Sequence, residues 1–391
     1  MKNKTTLTFT GDIGFDHYML GKWKDETLLS SEVSNFLADT DHLIVNVEGP
    51  LSDPVKKTDA SGVSKLLHTM NPEVSDFLTG IKADIWNICN NHIMDAGPQG
   101  LINTVSLAKK AGAGTLGAGQ DIDCASAPVI INEAGGIGLL SVGYQRACRK
   151  ADENTPGCFS WSDLERIQNV ITKIKKTCRW CIVVAHAGEE FTALPSPYTR
   201  NRYHQYLEMG ADIVVAHHPH VPMNYETVGD KMIFYSLGNF IFDTDYQRSQ
   251  YYTELGLFVK LFFTPDSFTF EPFGIAVDRT RGQIVAHSLP DIFTDIPEEE
   301  YQKLIPLSTK AFIEATKRQL RYLYPDKFMN ATEEDFYQNF YEPLRSGRVP
   351  GETLDFQILY PLALEADKGA WKTSNLPKVI DYILCTIGDG N

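Results

Sequence analysis

The amino-acid sequence predicts a layered α/β fold that is followed by a helical C-terminal extension. Over about the first 280 residues, short β-rich runs alternate with amphipathic helical stretches, which is the pattern of sheets covered by helices. Several β-rich runs end directly in Asp, Glu, Asn or His, and after residue 295 the sequence becomes helical and acidic. We therefore expect an α/β domain at residues 1–290 and a helical extension at residues 291–391.

The predicted strands are short apolar runs, or runs in which apolar and polar residues alternate. Alternation with period two indicates a strand with one buried face, and a continuous apolar run indicates a strand that is buried on both faces. In chain order the strands are TTLTFTG (5–11), HLIVNVEG (42–49), ADIWNICNNH (83–92), CIVVAHAGEE (181–190), ADIVVAHHPH (211–220) and KMIFYSLGNF (231–240), followed by a hairpin of 253–265 and 267–278 around Pro265-Asp266.

Helical stretches separate these strands and carry start and stop signals. Asn71-Pro72 and Ser162 are typical of helix starts, and a glycine follows several of the stretches. The predicted helices are SSEVSNFLAD (30–39), NPEVSDFLTG (71–80), GPQGLINTVSLAKKAG (97–112), SWSDLERIQNVITKIKKT (160–177) and SPYTRNRYHQYLEMG (196–210), with more helix in the extension around 333–345 and 377–387.

Composition and charge exclude some classes of partner. The chain has 391 residues, a hydrophobic content of 43% and a formal net charge of −14. A surface this acidic repels phosphate backbones and anionic lipids, so we expect neither nucleic acid nor a membrane surface as a partner. The N-terminus has no apolar stretch of signal-peptide length, and no run approaches the roughly 20 apolar residues of a membrane span. These features predict a cytoplasmic protein.

Polar side chains follow five of the predicted strands at the point where each strand ends. Ligand sites in α/β sheets lie beyond the carboxyl ends of the strands, so these residues should gather on one rim. Any one of them alone could be an ordinary structural residue, and an asparagine here could simply cap a turn. Five separate strand ends favour a shared site instead. The rim residues are Asp12, Glu48, Asn91, His92, His186, His218 and His220.

The residue types at this rim predict a site for one or two divalent metal ions. Carboxylate, amide and imidazole ligands suit Mn, Fe, Zn, Mg or Ca. A carboxylate can bridge two ions about 3.5–4 Å apart, and such pairs activate water near neutral pH and neutralise phosphoryl charge. His218 and His220 form an H-x-H with both side chains on one face, and His217 is expected to face the other way. We expect Asn239 to hydrogen-bond this histidine loop.

An ordered set of motifs carries a resemblance to a known family. The motifs are GDIG, NVEGPL, NNHIMDAG, GAGQD, AHAGEEF, GADIVVAHHPHV and FYSLGNFIFD. Together they resemble the CapA family, which is linked to poly-γ-glutamate capsule synthesis and belongs to the calcineurin-like metallophosphoesterase superfamily. The resemblance covers roughly residues 5–280. It implies a layered, metallophosphatase-like β-sandwich flanked by helices.

The resemblance also implies roles for the rim residues. Asp12 matches the aspartate of the first superfamily motif, a ligand of the first metal, and it joins the catalytic set. Glu48 stands where the superfamily has its bridging aspartate. His92 matches the histidine of the G-N-H motif, which protonates the leaving group. By the same match, the other metal ligands are Asn91, His186, His218 and His220.

One position departs from the pattern of the superfamily. The D-x-H of the first motif reads Asp12-Ile13-Gly14 in this chain, so one histidine ligand is missing. Asp16 and His17 are the neighbouring residues that could replace it. A glutamate at Glu48, where the superfamily has an aspartate, also lengthens the bridging arm.

These inferences predict a metal-dependent hydrolase of the CapA-like metallophosphatase type that cleaves a phosphoester or an amide, with a role in poly-γ-glutamate capsule synthesis. Two alternatives stay open: a capsule assembly factor that binds polymer without cleaving it, and a peptide epimerase that uses the same acid/base rim. The expected substrate is an anionic small molecule, polymer or peptide. Arg200 and Arg202 are candidate substrate-binding residues, because guanidinium groups pair with carboxylates and phosphates.

Overall fold

Two β-sheets that pack face to face form the centre of the fold. The computed structural model describes residues 2–53, 66–144, 148–346 and 353–388. The strands are β1 (Thr5–Ile13), β2 (His42–Val47), β3 (Ala83–Asn87), β4 (Gly114–Leu116), β5 (Ala118–Gly119), β6 (Val129–Ile131), β7 (Ile137–Gly143), β8 (Gly157–Cys158), β9 (Trp180–His186), β10 (Ile213–His217), β11 (Tyr225–Val228), β12 (Lys231–Phe234), β13 (Asn239–Ile241), β14 (Leu255–Phe263), β15 (Phe268–Asp278) and β16 (Gln283–Ala286).

Helices cover the outer faces of the sheets and make up most of the C-terminal region. They are α1 (Ser31–Ala38), α2 (Val74–Gly80), α3 (Gly97–Lys110), α4 (Ile122–Ser126), α5 (Leu164–Thr177), α6 (Pro197–Glu208), α7 (Asp245–Arg248), α8 (Glu298–Leu323), α9 (Pro325–Phe328), α10 (Glu333–Phe336), α11 (Glu342–Arg345), α12 (Thr353–Leu364) and α13 (Pro377–Ile387). The predicted helices of the α/β region correspond to α1, α2, α3, α5 and α6, and the predicted hairpin is β14–β15.

The sheet topology brings the strand ends of interest to one edge. The first sheet has the order β16-β15-β14-β1-β2-β3-β4, with β13 parallel to β1, and the second has the order β11-β12-β10-β9-β7-β6. The pairs β1–β2, β2–β3, β7–β9 and β9–β10 are all parallel. Parallel neighbours finish at the same edge, so the residues that follow them lie side by side.

Apolar side chains fill the space between the two sheets. Inward-facing residues alternate along each strand, which is why period-two runs such as β1 can have one face in this layer. Burying one such side chain contributes about 1.5–3 kcal/mol. The layer includes Leu7, Phe9 and Ile44 from the first sheet, and Ile182, Val184 and Val215 from the second.

The outer faces are closed by amphipathic helices. On α5, Ile167, Ile171 and Ile174 recur at helical spacing and are buried against the second sheet. The helix begins where the side chain of Asp163 accepts a hydrogen bond from the backbone of Arg166. The predicted layered α/β fold with helices on its sheets is therefore confirmed.

The C-terminal extension packs on the loop that follows β9. Leu304 and Ile305 of α8 share a buried cluster with Ala193 and Leu194 of that loop. Because apolar contacts cross the predicted boundary near residue 290, the division into two domains stays a prediction. In the part of the chain that the structure describes, no helix combines the length and apolar character that crossing a bilayer requires.

A histidine at the start of β2 gives the fold a testable pH dependence. His42 Nδ1 lies 2.7 Å from Asp84 Oδ2, and its Nε2 lies 3.7 Å from Glu133 Oε2. The hydrogen bond with Asp84 raises the pKa of His42, although burial opposes this effect. A histidine whose pKa is raised on folding contributes its full stabilisation at a pH below its pKa in the unfolded chain, about 6.5. That stabilisation is lost as the pH rises through the pKa of the folded state.

We expect His42→Gln to lower the free energy of unfolding more at about pH 6 than at about pH 9, as measured by urea titration. The matched control is His287→Gln, which changes an exposed histidine and should affect both pH values equally. An equal loss for His42→Gln at both pH values would contradict the role of the charged pair.

Candidate metal centre

The strand ends bring two overlapping groups of potential metal ligands together. One group is Asp12, Glu48 and His186, and the other is Glu48, His218 and His220. Within each group the candidate ligand atoms lie within 4.8 Å of one another. All five side chains are buried, with exposures between 0% and 6%. The carboxylate of Glu48 belongs to both groups, so it occupies the position of a bridging ligand.

The distances around Glu48 show how tightly the imidazoles surround it. Its Oε1 lies 3.6 Å from His186 Nε2, 3.5 Å from His220 Nε2 and 4.0 Å from His92 Nε2. Asp12 Oδ2 lies 3.4 Å from His220 Nδ1. The two groups are thus parts of one cluster.

Several polar atoms in the cluster are buried without a hydrogen-bond partner. They are Asp12 Oδ2, both oxygens of Glu48, and Nδ1 of His217 and of His218. A buried polar atom without a partner costs about 1–3 kcal/mol, and more if it is charged. Oxygen and imidazole nitrogen are the donors that divalent Mn, Fe and Zn accept. A divalent cation coordinated by these atoms would satisfy them, so the residues present fit such an ion.

Asn91 and His92 lie at the margin of the cluster, and their predicted roles as metal ligand and proton donor stay predictions. Asn91 Oδ1 is 2.9 Å from His186 Nε2. His92 Nδ1 is 2.8 Å from Asp95 Oδ2, which leaves Nε2 on the side of Glu48. A carboxylate that holds one ring nitrogen fixes the imidazole's orientation and leaves the other nitrogen to exchange a proton.

The histidine loop has an unusual backbone. His218 and His220 have φ angles of 98° and 59°, a region that non-glycine residues rarely occupy. Asn239 Oδ1 lies 3.1 Å from His220 Nδ1, so the predicted support from Asn239 is confirmed. The prediction for His217 is wrong, because its Nδ1 lies 3.3 Å from Asp12 Oδ1. Strand alternation stops at His217, and the left-handed turn brings the next histidines to the same side.

Gly14 cannot be replaced by the missing histidine without rearrangement. A Cβ atom at Gly14 would lie 2.3 Å from the ring of Phe242, which is buried. Asp16 hydrogen-bonds His68, and His17 is exposed, so neither of the two predicted substitutes joins the two ligand groups. The group that contains Asp12 therefore has fewer protein ligands than the superfamily pattern implies.

His68 is a neighbour of the centre that the sequence did not reveal. Its ring meets the ring of His92 edge to face at 4.3 Å, and its backbone N–H donates to Asp95 Oδ2 at 2.8 Å. In the sequence, His68 does not follow any of the predicted strands, so the strand-end pattern that identified the other histidines did not reveal it.

The C-terminal extension reaches the edge of the cluster. Glu190 Oε2 accepts hydrogen bonds from Tyr246 Oη and from Gln319 Nε2 of α8, both at 2.8 Å. Next to it, the ring of Phe191 stacks on His220 with a centroid distance of 5.9 Å. The extension thus forms part of the wall beside the histidine loop.

The cluster has strongly shifted pKa values. Burial raises the pKa of Glu48 well above its ordinary value, and the charges of Asp12 and Glu190 add to the effect against that of His220. Burial opposes protonation of His220, but Glu48 and Asp12 raise the pKa of His220 to about 10. Burial lowers the pKa of His218 to about 4.

The pKa values of the other two candidate ligands, Asp12 and His186, are both lowered. Burial raises the pKa of Asp12, but the close contacts and charges of His217 and His220 outweigh it and hold the pKa well below the usual range. Burial, with the charge of His218, holds the pKa of His186 well below its usual range. The centre therefore pairs an ionised aspartate with a neutral imidazole.

The two predicted substrate-binding arginines lie elsewhere. Arg200 donates to both oxygens of Glu226, at 3.0 and 2.5 Å, and its Nη1 lies 2.6 Å from Glu298 of α8. Its guanidinium is paired with these carboxylates, and its predicted role in substrate binding stays a prediction. Arg202 lies 5.4 Å from the ring of Trp161 and 5.9 Å from that of Tyr198, and its role stays a prediction.

The fold and this site define a two-sheet α/β protein with a candidate two-ion metal centre. Residues 6–244 match the family described as bacterial capsule synthesis protein PGA_cap. The match covers more than half of the chain, and the chain therefore belongs to this family.

Curated relatives share this region. The PGA biosynthesis protein CapA of Bacillus subtilis is 29% identical over 251 residues, which cover 63% of this chain and 65% of the relative. The capsule biosynthesis protein CapA of Bacillus anthracis is 27% identical over 260 residues, which cover 63% and 62%. The chain spans less than two thirds of the length of each relative. Among solved structures, the sulfate thiohydrolase SoxB of Thermus thermophilus aligns with a TM-score of 0.41 and 13% identity, covering 84% of this chain and 62% of that chain.

The raised pKa of His220 makes cation binding depend on pH. A divalent ion can bind His220 only after the imidazolium loses its proton, so low pH opposes binding. We expect the dissociation constant for Mn²⁺ to fall between about pH 6 and pH 9, by up to about tenfold per pH unit for one released proton. Calorimetry in two buffers with different ionisation enthalpies would measure both the affinity and the proton release. A constant affinity with no released proton would contradict this assignment.

Removing the Arg200 guanidinium should affect stability and not substrate binding. Arg200→Gln removes the guanidinium from Glu226, which keeps its contacts with His204 and Tyr235, and from Glu298. We expect the free energy of unfolding to fall by roughly 1.5–3 kcal/mol, the range for hydrogen bonds to charged groups. Arg202→Gln is the matched variant on the same helix, with no ion pair to lose among the described contacts. A rise in KM for Arg200→Gln without a loss of stability would restore the substrate-binding interpretation.

Proposed function

We propose that this protein is a metal-dependent hydrolase that cleaves a phosphoester or an amide in an anionic substrate, during synthesis of a capsule polymer such as poly-γ-glutamate. The observation that carries the proposal is Glu48, whose unpartnered carboxylate is shared by two groups of ligands. The names of the Bacillus relatives refer to PGA and capsule biosynthesis, and they support the choice of polymer.

A shared carboxylate is the arrangement that two-ion hydrolytic sites use. Asp12, Glu48 and His186 would hold one ion, and Glu48, His218 and His220 would hold the other. When bound, two divalent ions supply Lewis acidity that activates water and neutralises charge on a phosphoryl or carbonyl oxygen.

The protein's own residues provide the proton transfer. His92 holds its ring in place through the 2.8 Å contact between Nδ1 and Asp95, so its Nε2 is the nitrogen that exchanges a proton with the leaving group. Burial and the charge of His68 lower the pKa of His92. An anionic substrate beside His92 has the opposite effect, so substrate binding would favour the protonated form that donates to the leaving group.

One observation favours a second candidate, a capsule factor that holds polymer through metal without cleaving it. The ring of Phe242 fills the space at Gly14, and the Asp12 group therefore lacks the ligand that a histidine would add. A weakly held ion in that group would support binding of the polymer better than it would support cleavage.

The test is an assay of the purified protein with Mn²⁺, using a chromogenic phosphate monoester for phosphoester cleavage and poly-γ-glutamate for amide cleavage. His92→Asn should lower kcat by about 10²–10⁴-fold and leave the Mn²⁺ dissociation constant near that of the wild type. His287→Asn is the matched control at an exposed histidine and should keep wild-type kinetics.

The outcomes separate the two candidates. Polymer that binds in the presence of Mn²⁺, is not cleaved and is retained equally by His92→Asn would favour the non-hydrolytic factor. A wild-type protein that binds no divalent ion and cleaves neither substrate would overturn both.

A further inference from the structure

Three buried side chains form a hydrogen-bonded relay behind Asp12. The Ser141 hydroxyl donates to Asn87 Oδ1 at 2.6 Å, and Asn87 Nδ2 donates to Asn46 Oδ1 at 2.6 Å. Asn46 Nδ2 then donates to Asp12 Oδ1 at 2.7 Å. The three relay residues, Asn46, Asn87 and Ser141, are each 0% or 1% exposed.

The relay follows from the strand register and links the two sheets. Asp12, Asn46 and Asn87 are paired neighbours across β1, β2 and β3. Ser141 belongs to β7 of the second sheet, where it pairs with Val184. The hydrogen bonds thus run across three strands of one sheet and end on a strand of the other.

The end of the relay touches two ligands of the same metal group. Asn46 Nδ2 lies 2.7 Å from Asp12 Oδ1 and 3.3 Å from His186 Nδ1. In the middle of the relay, Asn87 Oδ1 also accepts a longer hydrogen bond of 3.4 Å from the backbone N–H of Cys89, in the segment that leads to Asn91 and His92. One chain of polar groups therefore contacts each segment that supplies the Asp12 group and the proton donor.

The direction of the hydrogen bonds distinguishes this relay from a set of ordinary satisfied core residues. Each donor points toward Asp12, and the relay occupies Oδ1 of that carboxylate. Asp12 Oδ2 is left buried and without a hydrogen-bond partner. Polar groups outside the ligand shell fix the orientation of a ligand in this way, and their loss typically weakens metal binding by 10–100-fold.

We propose that Ser141 and Asn87 are positioning residues that act through Asn46 to hold Asp12, and with it His186, in the geometry that binds a divalent ion. The proposal rests on the metal-dependent function proposed above. Asp12 sets the direction of the relay, because its carboxylate only accepts and so requires Asn46, and then Asn87, to present an amide N–H. The Ser141 hydroxyl donates to the remaining Asn87 Oδ1 and so holds that amide in place.

The first test measures Mn²⁺ binding by calorimetry in the full chain. Ser141→Ala should raise the dissociation constant by about tenfold. Ser126→Ala is the matched control, because it removes another buried serine hydroxyl that is remote from the metal centre. That hydroxyl donates to the backbone oxygen of Ile122 at 2.7 Å, and its loss should leave the Mn²⁺ dissociation constant unchanged. Ser141→Cys keeps a similar volume with a weaker hydrogen-bond donor and should give an intermediate rise in the Mn²⁺ dissociation constant. It replaces Ser141→Ala in the measurement if that variant does not fold.

The second test asks whether the effect passes through Asn46. In an Asn46→Ala background, Ser141→Ala should cause no further rise in the Mn²⁺ dissociation constant, because the relay is already broken. Additive effects, or an unchanged constant in the Ser141 variants that fold, would overturn the relay alone. A wild-type chain that binds no Mn²⁺ would overturn the metal-dependent function and the relay together.

Discussion

The buried carboxylate of Glu48 is the feature on which the rest of the site depends. It is fully buried, and neither of its oxygens has a hydrogen-bond partner. A carboxyl group in such a place either keeps its proton or is ionised beside a positive charge such as an imidazolium or a metal ion. Histidines that follow strands of both sheets lie around this one carboxylate, so the need to balance its charge involves both sheets.

The histidine loop of the site is held in a strained backbone conformation. His218 and His220 occupy left-handed conformations, which cost of order 1–3 kcal/mol each and persist where the surroundings enforce them. The surroundings include Asn239 Oδ1, which accepts a hydrogen bond from His220, the ring of Phe191 and, through Glu190, the contact with Gln319 of the C-terminal extension. A helix remote in sequence thus contributes to the order of the histidine loop.

Most of the fold and the principal candidate ligands could be predicted from the sequence, because both follow from local patterns. Apolar runs ending in Asp12, Glu48, His186 and His218 signal parallel strands with a shared edge, and the structure brings these residues together. The orientation of His217 and the bond partners of Arg200 could not be predicted, since the first depends on a left-handed turn and the second on a helix about 100 residues away. His68 was missed because it follows none of the strands predicted from the sequence, and tertiary packing places it beside His92.

Anomalous diffraction from crystals grown with Mn²⁺ would show whether Glu48 lies between two ions. We expect two anomalous peaks, one on each side of the Glu48 carboxylate, within coordination distance of the candidate ligands Asp12 and His186 and of His218 and His220. A cluster without any peak, with Glu48 hydrogen-bonded to protonated histidines instead, would contradict this expectation.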